Sequence, residues 1–230
     1  MAKENEKERE QLRQERVEET VSRTNQFLDE NKKTIYGILI ALLVIGLAIV
    51  AWYKFYYQPK RTEAIDQLYP AEANFRAKEY KLALEGDGNV LGFTQIIQDF
   101  GKKAGKDVYF YAGVCELQLG NYENALNYLK KYTGKDAILA ARATACSGDA
   151  YVGLEKYKDA LACYEKAAAS ADNLFAAGYL LKAGVVCEEM GDKAKALGFY
   201  KQIKDKYPQS MEGYDIDKYI ARIESQQEAE

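Results

Sequence analysis

The feature that most constrains this chain is a period of about 35 residues in its C-terminal part. Three segments align: YFYAGVCELQLGNYENALNYLKKY from Tyr109, TACSGDAYVGLEKYKDALACYEKAA from Thr144, and LLKAGVVCEEMGDKAKALGFYKQIKDKYP from Leu180. Each places a glycine (Gly113, Gly148, Gly184) twelve residues ahead of an alanine (Ala125, Ala160, Ala196), and successive alanines stand 35 and 36 residues apart. A period of this length marks an architecture in which each unit buries its apolar face only against its neighbours. Small residues at these positions let the two helices of a hairpin approach closely, while Tyr or Leu fills the space beside them. Gly120-Asn121-Tyr122 and Gly191-Asp192 sit where a helix must end and turn, as glycine permits. No strand pattern competes, so the expected class is all-α.

These residues resemble the tetratricopeptide repeat, whose pattern runs W-x2-L-G-x2-Y, then A-x3-F, then P. The second segment has Gly148, Tyr151, Ala160 and Tyr164 on pattern positions, followed by Ala167. The third has Leu180, Gly184, Ala196, Tyr200 and the closing Pro208, and the first has Tyr109, Gly113 and Ala125, with Glu116 and Leu129 in place of the aromatics. The resemblance implies a solenoid of helical hairpins. Upstream, YPAEANFRAKEYKLALEGDG carries Ala71, Tyr80 and Ala83 at corresponding offsets but Asp87 where an aromatic belongs. It reads as a degenerate first repeat, with VLGFTQIIQDF as its helical continuation. The expected repeats are 62–100, 106–132, 141–169 and 177–208, closed by a polar-faced capping helix at 213–225, in a domain of residues 58–230.

Thr34 to Tyr53, TIYGILIALLVIGLAIVAWY, is twenty residues without charge or proline. At 1.5 Å per residue this gives roughly 30 Å of helix, the thickness of a bilayer core. The segment is apolar all round, unlike a helix with one buried face. Trp52, Tyr53, Phe55, Tyr56 and Tyr57 gather at its exit and Tyr36 stands at its entrance, matching interfacial aromatic belts. A cleaved signal peptide is disfavoured by the long polar stretch ahead of it and by the lack of an A-x-A-like site after it. The expectation is an uncleaved transmembrane helix over 34–57. Residues 1–33 hold eight Lys or Arg and nine Asp or Glu, with only Leu12, Val17, Val21 and Leu28 as a faint apolar stripe. Such a mixed-charge arm is expected to be flexible or weakly helical. Near the span, Arg13, Arg16, Arg23, Lys32 and Lys33 on the N-terminal side outnumber Lys54, Lys60 and Arg61 on the other. That bias places the N-terminus inside and the C-terminal domain outside the cytoplasm. Gly37-x-x-x-Ala41 offers a place for another helix to approach.

The chain contains no histidine, which excludes Ser-His-Asp and Cys-His triads and His-ligated zinc. Its formal charge of -3 gives no bulk attraction to nucleic acid. Gly101-Lys-Lys-Ala-Gly105-Lys106 departs from a phosphate-binding loop in spacing, in having Asp107 for Ser or Thr, and in following a helical stretch. It reads as a helix-to-helix loop. Asp87-Gly88-Asn89 lacks the ligand spacing of a calcium loop and reads as a turn. Cys115, Cys146, Cys163 and Cys187 have no C-x-x-C spacing and fall in expected helices, so buried thiols are favoured, with Cys146 and Cys163 the pair to test for a disulfide. No carboxylate pair is marked out as acid and base, so no catalytic residue, cofactor, metal or small-molecule substrate is expected.

In the tetratricopeptide family the partner groove is lined by the first helix of each repeat. Carrying those positions over gives Asp107, Phe110, Val114 and Leu117, then Arg142, Ala145, Asp149 and Val152, then Leu181, Val185, Glu188 and Glu189. The lining mixes apolar and acidic groups. Members that clamp a C-terminal carboxylate carry several Lys, Arg and Asn here, and this chain offers only Arg142. The alternative is that Phe110, Val114, Leu181 and Val185 pack against neighbouring helices. The order of parts is similar to the YfgM-like family of bacterial inner-membrane proteins, ancillary subunits of the SecYEG translocon that work with periplasmic chaperones. The resemblance implies a single-pass inner-membrane protein with a cytoplasmic N-terminus and a periplasmic repeat domain. Its partners would be translocon subunits, periplasmic chaperones or client polypeptides. A scaffold for cell-envelope assembly or division would share the architecture.

Overall fold

The computed structural model describes residues 2–170 and 175–228. Contacts divide the chain into two compact units, residues 1–59 and 60–230.

The first unit is built on α1 (Ala2–Trp52), an unbroken helix of 51 residues. The polar arm, expected to be flexible or weakly helical, is helical throughout its described length, and no element boundary separates it from the apolar segment. Opposite charges one turn apart support such a helix locally, as where Arg23 Nη2 meets Glu19 Oε1 at 2.7 Å. Val17, Val21 and Leu28 of the arm's stripe are exposed, and the side chain of Leu12 lies outside those described. Every large apolar side chain from Ile38 to Trp52 is more than half exposed. This helix is long and apolar enough to cross a membrane, and none of that stretch is buried within the chain. After Trp52 the helix widens into a π-turn, Tyr53–Tyr57. There Trp52 stacks on Tyr56 and Tyr53 on Tyr57, with ring centroids 6.1 and 5.5 Å apart.

The second unit is all helical among the described residues, apart from one isolated antiparallel bridge. Its helices are α2 (Gln58–Arg76), α3 (Tyr80–Glu85), α4 (Phe93–Phe100), α5 (Asp107–Gln118), α6 (Tyr122–Leu129), α7 (Ala137–Gly153), α8 (Tyr157–Ser170), α9 (Phe175–Glu189), α10 (Lys193–Lys206) and α11 (Met211–Glu228). From α5 onward each helix packs against its neighbours in chain order, so hairpins α5–α6, α7–α8 and α9–α10 stack in sequence and α11 closes the end. Asp136 starts α7 by accepting the Leu139 N–H at 2.8 Å, and the Ser210 hydroxyl accepts the Gly213 N–H at 2.9 Å in the first turn of α11.

All four hairpins, α2–α3 included, turn in the same way. The second residue after each first helix has positive φ: Lys78 (64°), Gly120 (79°), Glu155 (58°) and Gly191 (79°). Its N–H and the next one bond back to the closing carbonyls, as Gly120 to Leu117 at 3.1 Å and Asn121 to Glu116 at 2.9 Å. This double bond pattern satisfies carbonyls that a helix end would leave orphaned.

Within the hairpins, a Cβ placed on Gly148 would lie 2.6 Å from the Tyr164 ring, and Gly113 and Gly184 face Leu129 and Tyr200 in the same way. The degenerate first repeat solves this packing differently. Its second helix, α3, stops at Glu85, so Asp87 never reaches the position of an aromatic. Asp87 Oδ1 instead accepts the N–H groups of Asn89 (2.9 Å) and Val90 (2.8 Å) to make a turn, and these bonds hold its carboxyl below the usual range. Phe93 and Ile96 of α4 supply the bulk in the cluster that contains Ala71. The Gly101–Ala104 segment is a short 3-10 turn joining α4 to α5.

Glu155 occupies a left-handed position that the hairpins on either side of it fill with Gly120 and Gly191. Glu155→Gly is therefore expected to raise stability by about 0.5–1 kcal/mol. Gly148→Ala is expected to lower it by about 1–3 kcal/mol through overpacking against Tyr164. Urea denaturation of the two variants beside the parent measures both changes.

Candidate functional site

The first helices α5, α7 and α9 carry the residues expected to meet a partner. On α5, Asp107 is exposed in the first turn, but Phe110 (2% exposed) and Val114 (8%) are buried with Leu129, Tyr132 and Ala143 in a cluster that joins the first two full hairpins. Leu117 packs beside Ala125, Leu126 and Ala150. The Arg142 guanidinium lies 5.8 Å from the centre of the Phe110 ring, so the one expected cation lies over the α5–α7 seam. Ala145 is buried, and Val152 and Leu181 are half-buried against the same core. Val185 (40% exposed) and Glu189 face outward.

Asp149 and Glu188 have partners inside the chain. The Tyr164 hydroxyl of α8 donates to Asp149 Oδ1 at 2.7 Å, and Lys182 of α9 bonds both oxygens of that carboxylate at 2.6 and 2.8 Å. One repeat on, the Tyr200 hydroxyl of α10 donates to Glu188 Oε1 at 2.5 Å, and Arg222 of α11 bonds both Glu188 oxygens at 2.6 and 2.8 Å. Each relay links a tyrosine on a second helix, an acid on its first helix and a cation on the helix after that hairpin, α9 for Lys182 and α11 for Arg222. Burial, and then the carboxylate beside it, pushes each phenol far above the ordinary tyrosine value. The relay is absent from the first full repeat, where Leu129 replaces the tyrosine and Val114 stands in the place of Asp149; apolar packing joins that seam.

Sequence reasoning thus placed these two acids in the lining but missed Lys182 and Arg222. A usable signal existed: each cation follows its acid by 33 or 34 residues, close to one repeat period. It also missed Tyr111, which stacks on Phe93 at 5.6 Å, and Tyr179, whose phenol is pushed up by burial and by neighbouring Cys146.

All four cysteines are free, Cys115 and Cys187 buried and Cys146 and Cys163 half-buried. Burial pushes the Cys115 thiol up to about 12 and those of Cys146 and Cys187 up to about 11, so they remain neutral packing groups. Among the described residues no cluster of three Cys, Asp or Glu is placed to hold a metal ion.

A tetratricopeptide repeat family model matches residues 147–210, and a second tetratricopeptide repeat model matches residues 107–136. Among solved structures the chain is similar to the crystal structure of MamA protein, with a TM-score of 0.54 and 17% identity over 72% of this chain and 83% of that one. No curated protein matches the sequence. The chain therefore carries tetratricopeptide repeats in a helical solenoid, and such repeats indicate a protein-interaction module.

Removing either relay acid leaves a buried phenol unpaired. Asp149→Ala and Glu188→Ala are each expected to destabilise the domain by about 1–3 kcal/mol, while exposed Glu189→Ala stays within about 0.5 kcal/mol; urea denaturation separates them. The phenols also set an alkaline limit. Their folded values lie above the unfolded value of 10.0, so the folded state holds these protons longer. Their contribution to stability is complete below about pH 10 and is lost as pH rises through the folded values. The melting temperature should fall above that pH, and less steeply in a Tyr164→Phe, Tyr200→Phe double variant.

Proposed function

We propose that this chain is a membrane-anchored, non-enzymatic interaction module that serves as an extracytoplasmic accessory of the protein-export translocon and its chaperones. The observation that carries the reading is the joining, in one chain, of an uncovered apolar helical stretch to a solenoid of tetratricopeptide repeats. A core helix of a soluble protein would bury such a stretch, and here none of it is buried. The aromatic rings around the π-turn suit the level of lipid headgroups. The excess of Lys and Arg before the apolar stretch favours a cytoplasmic N-terminus and an exported solenoid.

The relays also narrow what the repeat face can recognise. With Asp149 and Glu188 engaged internally, Asp107, Arg142, Leu181, Val185 and Glu189 remain as the candidate contact strip. This strip has apolar centres with charges of both signs. It suits an amphipathic segment of a chaperone or an emerging polypeptide better than a lone C-terminal carboxylate.

Purification in mild detergent followed by mass spectrometry is expected to recover translocon subunits and periplasmic chaperones well above an unrelated anchored control. Recovery of cell-division or envelope-assembly proteins in their place would identify a scaffold. A cysteine placed at exposed Gln226 should react with a membrane-impermeant maleimide in spheroplasts; labelling only after lysis would put the solenoid in the cytoplasm and end the chaperone reading.

A further inference from the structure

A cleft of about 400 Å³ lies between α6 and α8 with α7 along its floor. Its α7 residues, Ala140, Ala143, Thr144, Ser147 and Tyr151, share one helical face, and Arg142, Ala145 and Asp149 lie on the opposite one by the 3.6-residue period. The cleft is therefore distinct from the strip discussed above.

Three of its polar groups, Lys130, Lys166 and the Tyr132 hydroxyl, lack an ion-pair or hydrogen-bond partner among the described residues. The Tyr132 side chain is 9% exposed, and among the described residues its hydroxyl is the one buried side-chain polar atom without a hydrogen-bond partner. Native folds rarely leave such a group unpaired. Burial, followed by Asp107 and Asp136, pushes this phenol up and so keeps it a donor. Lys130 and Lys166 line the cleft, are exposed, and have no ion-pair partner among the described residues. Thr144 and Ser147 donate their hydroxyl protons to the Ala140 and Ala143 carbonyls at 2.9 and 3.0 Å, leaving only oxygen lone pairs for an occupant.

One repeat on, the corresponding furrow is bridged. Glu165 of α8 and Lys195 of α10 form an ion pair of 2.9 Å across it. Lys130 and Asp159 hold the equivalent positions at the α6–α8 cleft, and no ion pair joins them.

We propose that the α6–α8 cleft binds an acidic, extended segment of a partner protein. Carboxylates would meet Lys130 and Lys166, backbone N–H groups would donate to Thr144 and Ser147, and a backbone carbonyl would accept from Tyr132 once the segment displaces the chain at Gly134 that covers this hydroxyl. A simple anion uses only the lysines and leaves the hydroxyl acceptors idle; a peptide matches both sets. The proposal rests on the interaction-module reading and adds a second, charge-selective surface to it.

Cys163 lines the cleft and supplies the probe. With Cys146→Ala in the full chain, Cys163 is the one partly exposed thiol, since Cys115 and Cys187 are buried. In detergent micelles, a short acetylated poly-glutamate peptide is expected to slow its reaction with N-ethylmaleimide, whereas poly-glutamine and inorganic phosphate are not. Lys130→Gln with Lys166→Gln should weaken that protection about tenfold. Tyr132→Phe should weaken it while leaving the melting temperature unchanged or raised, which a purely structural hydroxyl would not do. Absence of protection, equal protection by poly-glutamine or phosphate, or protection indifferent to the lysine variants overturns the proposal. Arg142→Ala, on the opposite face, should leave protection intact. Retained protection without translocon recovery would thus count against the export reading alone, and recovery without protection against the cleft alone.

Discussion

The contact on which the other features depend is the one between a glycine of each first helix and the bulky side chain facing it from the second. Gly113 faces Leu129, Gly148 faces Tyr164, and Gly184 faces Tyr200, with no room for a Cβ. This closeness lets a tyrosine ring fill the hairpin. It also carries the hydroxyl into a region where burial makes an unpaired donor costly. An acid on the first helix answers that need, and the acid, half-buried itself, calls for a cation. The nearest helix with a free side is the one that follows the hairpin, α9 or the closing α11, from which Lys182 and Arg222 reach back. One steric choice inside a hairpin thereby becomes an electrostatic link between hairpins.

The first full repeat shows the same logic from the other side. Leu129 fills the space against Gly113 without a hydroxyl, so no acid is required, and Val114 and Phe110 make the seam to α7 apolar. The solenoid is joined by packing alone at one end and by packing with ion-supported hydrogen bonds at the other. Arg142 belongs to the apolar end: with no relay carboxylate to bind, its guanidinium lies over the Phe110 ring.

How much the sequence discloses depends on where the interacting partners lie. The glycine, alanine and tyrosine positions are readable because both halves of each contact fall within one hairpin and recur at the period. The turns at Gly120 and Gly191 are readable because glycine announces left-handed backbone; Glu155 and Lys78 adopt it without that signal. The turn at Asp87-Gly88-Asn89 is readable from its residues, but nothing local forecasts that α3 ends early and that α4 will supply the missing bulk. Asp149 and Glu188 looked like free groove acids because their cations lie a full repeat away. The arm looked weakly structured because its few apolar residues are scattered, whereas its helix is held by its own backbone and by pairs such as Arg23 and Glu19.

Because acids and cations are engaged so widely between successive helices, residues that break the pattern carry information. Glu165 and Lys195 join α8 to α10, Lys204 and Asp217 join α10 to α11, and the relays tie α7 to α9 and α9 to α11. Against that background the α6–α8 cleft keeps two lysines without ion pairs and a buried hydroxyl without a bond among the described residues, while a pair at the same register closes the next furrow. Packing alone gives no reason to keep a buried phenol unpaired where the buried phenols of Tyr164 and Tyr200 are both provided for, since phenylalanine would fill the same volume. The face bearing the relays is largely engaged within the chain, and the uncommitted polar groups collect on the side where the repeat pattern has been left open.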